Sequence, residues 1–308
     1  MSYVLNTGLN AFWSLINAQQ NIAYMPIMTV NNPGQVNFYL EILVEIASFD
    51  PIPVDVFYDF IGCWDFQWTA QDPTREAFTR IGMDRIMVNV LGSVFLIGVL
   101  FFGSLMVVRL ISCCTDQHRY IKRLHDFLAI DGPLKPIFIL FFLETYIDLL
   151  IGALINTEND YLFDVPANWG PNGYLNYSDQ FTVLLGYFFL ITCIMFPIFV
   201  IYILDKKSRQ AFMTPGEELK FDSQYACLYE EFREVKSGFS HYYTVYLMRR
   251  IAFVAICFLF WEEHLTFAQV FMNICLSMMF SCYLISYRPF IEPEMNTIQI
   301  INEVYYTV

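Results

Sequence analysis

Residues 141–152, FFLETYIDLLIG, are strongly apolar and yet carry two acids. They lie inside a longer apolar run from Pro136 to Ile155, and a helix of about 20 such residues spans a membrane. Glu144 and Asp148 are four residues apart, so a helix places both on one face. An ionised acid at the bilayer centre costs at least roughly 2.5 kcal/mol. We therefore predict that this face points into a helix bundle or a wet cavity.

Two roles fit this intramembrane polar pair. In the first, Glu144 and Asp148 line a polar path through the membrane. In the second, they lie near the polar end of the span or bind neighbouring polar groups and so hold helices together. Neutral residues that could bind them occur on other apolar segments, namely Thr192, Ser277, Ser281 and Tyr283. We expect the second role.

The composition is that of an integral membrane protein. The 308 residues are 56% hydrophobic, 18% aromatic and 15% charged, whereas soluble domains have roughly 25% charged residues. Four apolar runs are near or above spanning length: Ile86–Cys113, Pro136–Ile155, Phe181–Leu204 and Thr266–Tyr287. A fifth, Tyr246–Trp261, reaches it if the side chains of Arg249 and Arg250 extend toward the membrane surface. We predict an all-α, polytopic helical membrane bundle of about five spans.

The chain divides into four predicted parts. Residues 1–30 form a polar helix that spans or re-enters the membrane, because this uncharged segment is interrupted by amides that include Asn17, Gln19, Gln20 and Asn21. Residues 31–85 form an extracellular amphipathic helix and an aromatic connector. Residues 86–287 form the five-span bundle, and residues 288–308 are a cytoplasmic segment leading to a further helix.

The basic residues predict the orientation of the bundle. They concentrate in residues 114–135 and 205–245, which places both loops in the cytoplasm. The loop 156–180 has no Lys or Arg and contains the sequon Asn176-Tyr-Ser. We therefore expect this loop outside the membrane, with Asn176 glycosylated.

Two further predictions concern modification and charge. Cys113 and Cys114 lie where a predicted helix enters the cytoplasm, a position compatible with palmitoylation. The net charge is −13, and residues 1–74 contain acids without any Lys or Arg. Such a surface argues against nucleic acid as a partner.

The sequence holds no recognisable catalytic constellation. His118, His125, His241 and His264 do not combine with cysteines at the spacing of a metal site. There is no glycine-rich phosphate loop and no serine in a nucleophile elbow. We expect a protein that is not an enzyme and binds no cofactor or metal.

Three stretches together resemble a known membrane module. The first is residues 11–55, which contain a cluster of Trp13, Asn17, Gln19 and Gln20, a turn at Pro33 and the pair Phe49-Asp50. The second is FDSQYACLYEEFR followed by YTVYLMRR, within residues 221–250, and the third is YRPF at 287–290 with Asn302-Glu303. They resemble the C-terminal multi-pass membrane module of ciliate cysteine-rich-repeat surface proteins. That module is loosely similar to fungal and polycystin-type transient receptor potential-like proteins.

The resemblance implies one of two functions. The first is a non-enzymatic scaffold that anchors a recognition or structural complex at the plasma membrane, in a ciliary or other surface region. Its partners would be membrane lipid and other membrane or extracellular proteins of the complex. The second is a cation-channel-like subunit. A pore of that class requires a pore helix and filter between its last two spans, whereas only Glu262, Glu263 and His264 separate the last two here.

Overall fold

The computed structural model describes residues 134–158, 177–208, 218, 221–222, 224–233, 241–260 and 265–307. Within these ranges the defined α-helices are α1 (Leu134–Glu144), α2 (Tyr146–Glu158), α3 (Tyr177–Ser208), α4 (Tyr242–Leu259), α5 (Thr266–Tyr287) and α6 (Pro293–Thr307). The described part of the chain has no β-strand, which confirms the all-α prediction there.

Three of these helices are long and apolar enough to span a membrane: Phe181–Ser208 within α3, Tyr242–Leu259 and Thr266–Tyr287. The bounds of α5 are those predicted, and α4 begins four residues before the predicted start at Tyr246. The predicted count of five spans is not confirmed. The run Ile86–Cys113 and the N-terminal helix of residues 1–30 lie outside the described residues.

The run from Pro136 to Ile155, predicted as one span, is not one continuous helix. Helix α1 ends at Glu144, the chain bends at Thr145, and α2 begins at Tyr146. Neither proline nor glycine occupies the bend, so no backbone preference of Thr145 forces it. Each piece is shorter than a spanning helix, with 11 residues in α1 and 13 in α2. The carbonyl groups at the end of α1 instead bind a side chain of α4, as described below.

Helix α2 packs against α3 and α4. Its buried apolar side chains are Tyr146, Ile147, Leu149, Leu150, Ile151, Ala153 and Ile155. Helices α3 and α5 instead expose large apolar side chains along their outer faces; Phe188 of α3 is 61% exposed and Met279 of α5 is 71% exposed. Such faces are unfavourable in water and favourable in lipid.

A glycine sets the distance between α2 and α3. A Cβ atom at Gly186 would lie 2.7 Å from Oδ1 of Asn156 and 3.2 Å from its Cγ. Small residues allow membrane helices to approach closely. The contact between α2 and α3 therefore depends on the absence of a side chain at this position.

The segment of residues 224–233, which we call the connecting segment, packs against the bundle. Two of its apolar side chains lie inward, with Leu228 fully buried and Phe232 5% exposed. It forms short turns, including a 3-10 turn over Ala226–Leu228, and no long helix. Phe232 also forms an antiparallel bridge with Phe290, between α5 and α6. The connecting segment thus joins the ends of several helices.

Candidate functional site

Among the described residues, the two adjacent arginines of α4 are the only Lys or Arg side chains that are buried. Arg249 is 7% exposed and Arg250 is 1% exposed, so the prediction that they extend to the membrane surface is wrong. A buried charge is stable only when it is paired and hydrogen-bonded. Consecutive residues of a helix lie about 100° apart around its axis, so the two side chains reach different neighbours.

Arg249 connects α4 to α5 and α6. Its Nη2 lies 2.5 Å from Oε1 of Glu303, and both side chains are 7% exposed. The hydroxyl of Ser277 donates to the same carboxylate oxygen. The guanidinium carbon of Arg249 also lies 4.8 Å from the ring centroid of Phe280. One carboxylate on α6 is therefore bound by a cation from α4 and a hydroxyl from α5.

Arg250 connects α4 to the break between α1 and α2. Its Nη1 donates to the carbonyl oxygen of Leu143 at 3.1 Å and to that of Glu144 at 3.5 Å. Carbonyls in the last turn of a helix lack partners within that helix and carry partial negative charge. The guanidinium satisfies them, which explains how α1 can end inside the bundle. Arg250 also lies over the ring of Tyr246, 4.3 Å from its centroid.

The predicted pair Glu144 and Asp148 lies around this same arginine. The break assigns the acids to different helices, and both are half-buried. Asp148 is attracted electrostatically by the guanidinium of Arg250. Glu144 interacts electrostatically with Tyr246 on α4. The acids thus border a cationic group that lies about 100 residues away along the chain, a contact that no local sequence pattern predicts.

Two of the neutral residues expected to bind these acids bind elsewhere. The hydroxyl of Thr192 donates to the carbonyl of Phe188 in its own helix, at 2.7 Å. That of Ser277 donates to Glu303. Neither of these bonds involves Glu144 or Asp148, and the structural role predicted for the two acids stays a prediction.

A second interhelical bond compensates for a proline in the middle of α3. Pro197 lacks an N–H group, so the carbonyl of Cys193, four residues earlier, loses its helical partner. The hydroxyl of Tyr146 donates to that carbonyl at 2.8 Å. Phe142 packs beside this bond, 4.5 Å from Phe196 between ring centroids. Membrane helices tolerate proline when a neighbouring helix supplies the missing bond.

A polar stripe on α5 faces α4, and sequence reasoning identified only one of its members. Gln269, Asn273 and Ser277 are buried at intervals of four residues. Nε2 of Gln269 donates to the carbonyl of Cys257 at 3.3 Å, and Asn273 hydrogen-bonds the thiol of Cys257. The signal for this stripe was available in the sequence as three polar residues on one helical face of an apolar run.

A cluster of polar and aromatic groups attaches the connecting segment to the end of α3. Nζ of Lys207 lies 2.7 Å from Oδ1 of Asp222 and 4.7 Å from the ring centroid of Tyr229. The Tyr229 hydroxyl donates to the same oxygen at 2.5 Å. Burial, together with this bond to Asp222, raises the pKa of Tyr229 above its usual value. Burial likewise raises the pKa of the Cys227 thiol to about 11.

His241 lies immediately before α4 and is 5% exposed. Its ring is 4.9 Å from that of Phe232, measured between centroids. Neither ring nitrogen has a hydrogen-bond partner among the described residues. Burial lowers the pKa of His241 to about 4, so the ring is neutral at physiological pH.

The other predicted site residues lie outside the described residues: Asn17, Gln19, Gln20, Asn21, Cys113, Cys114 and Asn176. Within the described ranges, no group of three or more His, Cys, Asp or Glu residues is placed to hold a metal ion.

No protein-family model, curated protein or solved structure matches the chain. The resemblance to the ciliate surface-protein module therefore stays a prediction. What the residues themselves provide is a set of buried polar groups that bind one another across helices, centred on the two arginines of α4.

Proposed function

We propose that this chain is a non-enzymatic, multi-pass membrane protein that anchors and positions a surface complex. The observation that supports it is the neutralisation of both buried arginines by groups of the bundle itself. Arg249 binds Glu303, and Arg250 binds the end of α1. Buried charges that are paired with groups on other helices hold those helices in fixed positions. A rigid bundle with apolar outer faces is suited to contact lipid and other membrane proteins.

Co-purification from native membranes tests the scaffold proposal. Intact cells are labelled with a membrane-impermeant biotin reagent, and the tagged chain is purified in mild detergent. We expect surface-labelled proteins at a fixed stoichiometry with the chain. Arg250→Met, which removes the group that binds the end of α1, should lose them, whereas Met248→Leu, at a half-exposed position on the same helix, should retain them. A chain that migrates alone, free of labelled protein, contradicts the proposal.

The alternative function is a cation-channel-like subunit, and one observation favours it. Glu144 and Asp148 are half-buried on either side of a helix break, and broken helices with acids at membrane depth occur in ion and substrate pathways. Against it, residues 260–265, which connect α4 to α5, are too few for a pore helix and filter between these two helices.

Cation flux into proteoliposomes distinguishes the two functions. The scaffold proposal predicts that the reconstituted chain passes no more cations than protein-free vesicles do. A flux that Glu144→Gln abolishes, with the protein still monodisperse and correctly inserted, would establish the channel function in its place.

A further inference from the structure

The ion pair between Arg249 and Glu303, together with the hydroxyl of Ser277, joins α4, α5 and α6 two to three helical turns from their neighbouring ends. Arg249 lies seven residues beyond the start of α4 at Tyr242, and Ser277 lies ten residues before the end of α5 at Tyr287. Glu303 lies ten residues beyond the start of α6. At 1.5 Å per residue these distances are about 10, 15 and 15 Å. If these ends lie at the surface of a hydrocarbon core about 30 Å thick, the three side chains meet about 10 to 15 Å inside it.

The turn between α5 and α6 places the start of α6 beside the end of α5. Nδ2 of Asn296 donates to the carbonyl of Phe290 at 2.8 Å, and the Phe290 N–H donates back to Oδ1 of Asn296 at 3.1 Å. Asn296 is 3% exposed. This reciprocal pair holds the turn closed, so α6 runs back along α5 toward Ser277.

The surface of α6 changes along its length in the manner of a helix that enters lipid. Its exposed residues near the start are Pro293, Glu294 and Thr297. Further along they are Ile301, Val304 and Tyr305, which are 60%, 48% and 75% exposed. A polar beginning and an apolar continuation match the passage from a water interface into hydrocarbon.

We propose that α6 enters the membrane from the side on which α5 ends, and that Arg249 and Ser277 form the surface that receives its acid, Glu303. This surface fits an amphipathic helix that carries one carboxylate near mid-membrane depth, and in this chain that helix is α6. Without the cation, Glu303 would be an uncompensated charge in hydrocarbon, and the entry of α6 would be unfavourable. Helix α6 is thus a membrane element whose insertion depends on an ion pair.

The reactivity of two cysteines tests the proposal. Thr297 and Val304 are both exposed and lie seven residues apart, on one face of α6, so depth is the main difference between them. Thr297→Cys and Val304→Cys are made separately in the full chain, and open membranes are treated with an impermeant maleimide. Because only a thiolate in water reacts, we expect Val304→Cys to react at least tenfold more slowly than Thr297→Cys. Equal rates would overturn the proposal.

The role of the ion pair is tested in the same assay. Arg249→Met should raise the reaction rate of Val304→Cys to within about threefold of that of Thr297→Cys. Combining Arg249→Glu with Glu303→Arg should restore protection, because the pair is re-formed with reversed charges. Protection that persists in Arg249→Met, or that the charge reversal fails to restore, would show that the pair does not control insertion. Met248→Leu serves as the control and should leave both rates unchanged.

Discussion

The hydroxyl of Tyr146 donates to the carbonyl oxygen of Cys193, 2.8 Å away, one helical turn before Pro197 interrupts the hydrogen bonding of α3. The carbonyl that the proline deprives of its partner is therefore satisfied from α2. The same principle operates at Arg250, which binds the carbonyls freed by the break after Glu144. In both places an irregular backbone inside the bundle is stabilised by a side chain from another helix.

Replacing Tyr146 with Phe removes the donor and leaves the ring. We expect a loss of about 1–2 kcal/mol in the free energy of unfolding, because the carbonyl of Cys193 then lacks a partner in an apolar environment. The measurement is unfolding by a denaturing detergent, followed by tyrosine and tryptophan fluorescence. In a Pro197→Ala background the restored N–H should satisfy that carbonyl and reduce the loss by at least half. An equal loss in both backgrounds would show that the Tyr146 hydroxyl does not compensate for the proline.

Gly186→Ala tests the close approach of α2 and α3. The added Cβ would lie 2.7 Å from Oδ1 of Asn156, so the helices must separate or Asn156 must move. We expect a loss of about 1–3 kcal/mol, typical of overpacking, measured by thermal unfolding in detergent. Shortening the opposing residue by Asn156→Ala should recover part of the loss when the two changes are combined. Strictly additive losses would place the strain elsewhere.

Acidification should destabilise the fold through His241. Its pKa is about 4 in the folded chain and 6.5 when unperturbed, so between these pH values the unfolded chain binds a proton that the folded chain does not. Stability therefore falls as the pH drops from 6.5 toward 4, by about 2 kcal/mol at pH 5. Thermal unfolding at pH 7.5 and pH 5 measures it. His241→Phe retains an aromatic ring beside Phe232 and should remove this part of the pH dependence. The same pH dependence in both proteins would rule out His241 as its source.

Arg250→Met should cost about 3–5 kcal/mol, because the end of α1 and the carboxylate of Asp148 both lose a buried cation. Neutralising the acid as well, with Asp148→Asn, should recover part of that loss. Arg250→Lys keeps the charge but lacks the planar fork that reaches two carbonyls, and we expect an intermediate loss. Unfolding in denaturing detergent separates the three variants. If Arg250→Met is as stable as the parent, the break after Glu144 is maintained by something else.

Hydropathy predicted the long helices well and the contacts of the charged residues poorly. The bounds of α5, Thr266–Tyr287, follow from an apolar run that polar residues interrupt at only a few positions. The break at Thr145 did not follow, because no proline or glycine marks it and the side chain that stabilises it lies on α4. Sequence patterns report local preference, whereas this break depends on a contact more than 100 residues away along the chain.

The burial of the α4 arginines does not follow from the local sequence, for a related reason. From the neighbouring residues alone, two cations near the start of an apolar run are expected to reach the membrane surface. Their burial becomes favourable only through Glu303 and through the end of α1, neither of which is adjacent in sequence. The polar residues of α5 were more accessible to prediction, since Gln269, Asn273 and Ser277 share one helical face.

If charges inside the bundle bind helices to one another, Arg249 and Glu303 must be energetically coupled. Arg249→Met, Glu303→Gln and the double variant are unfolded in denaturing detergent beside the parent protein. We predict that Arg249→Met costs about 3–5 kcal/mol, and that the double variant costs at least about 1 kcal/mol less than the sum of the single losses. Losses that are strictly additive, or close to zero, would show that this ion pair does not hold the helices together and would remove the support it gives to a scaffold function.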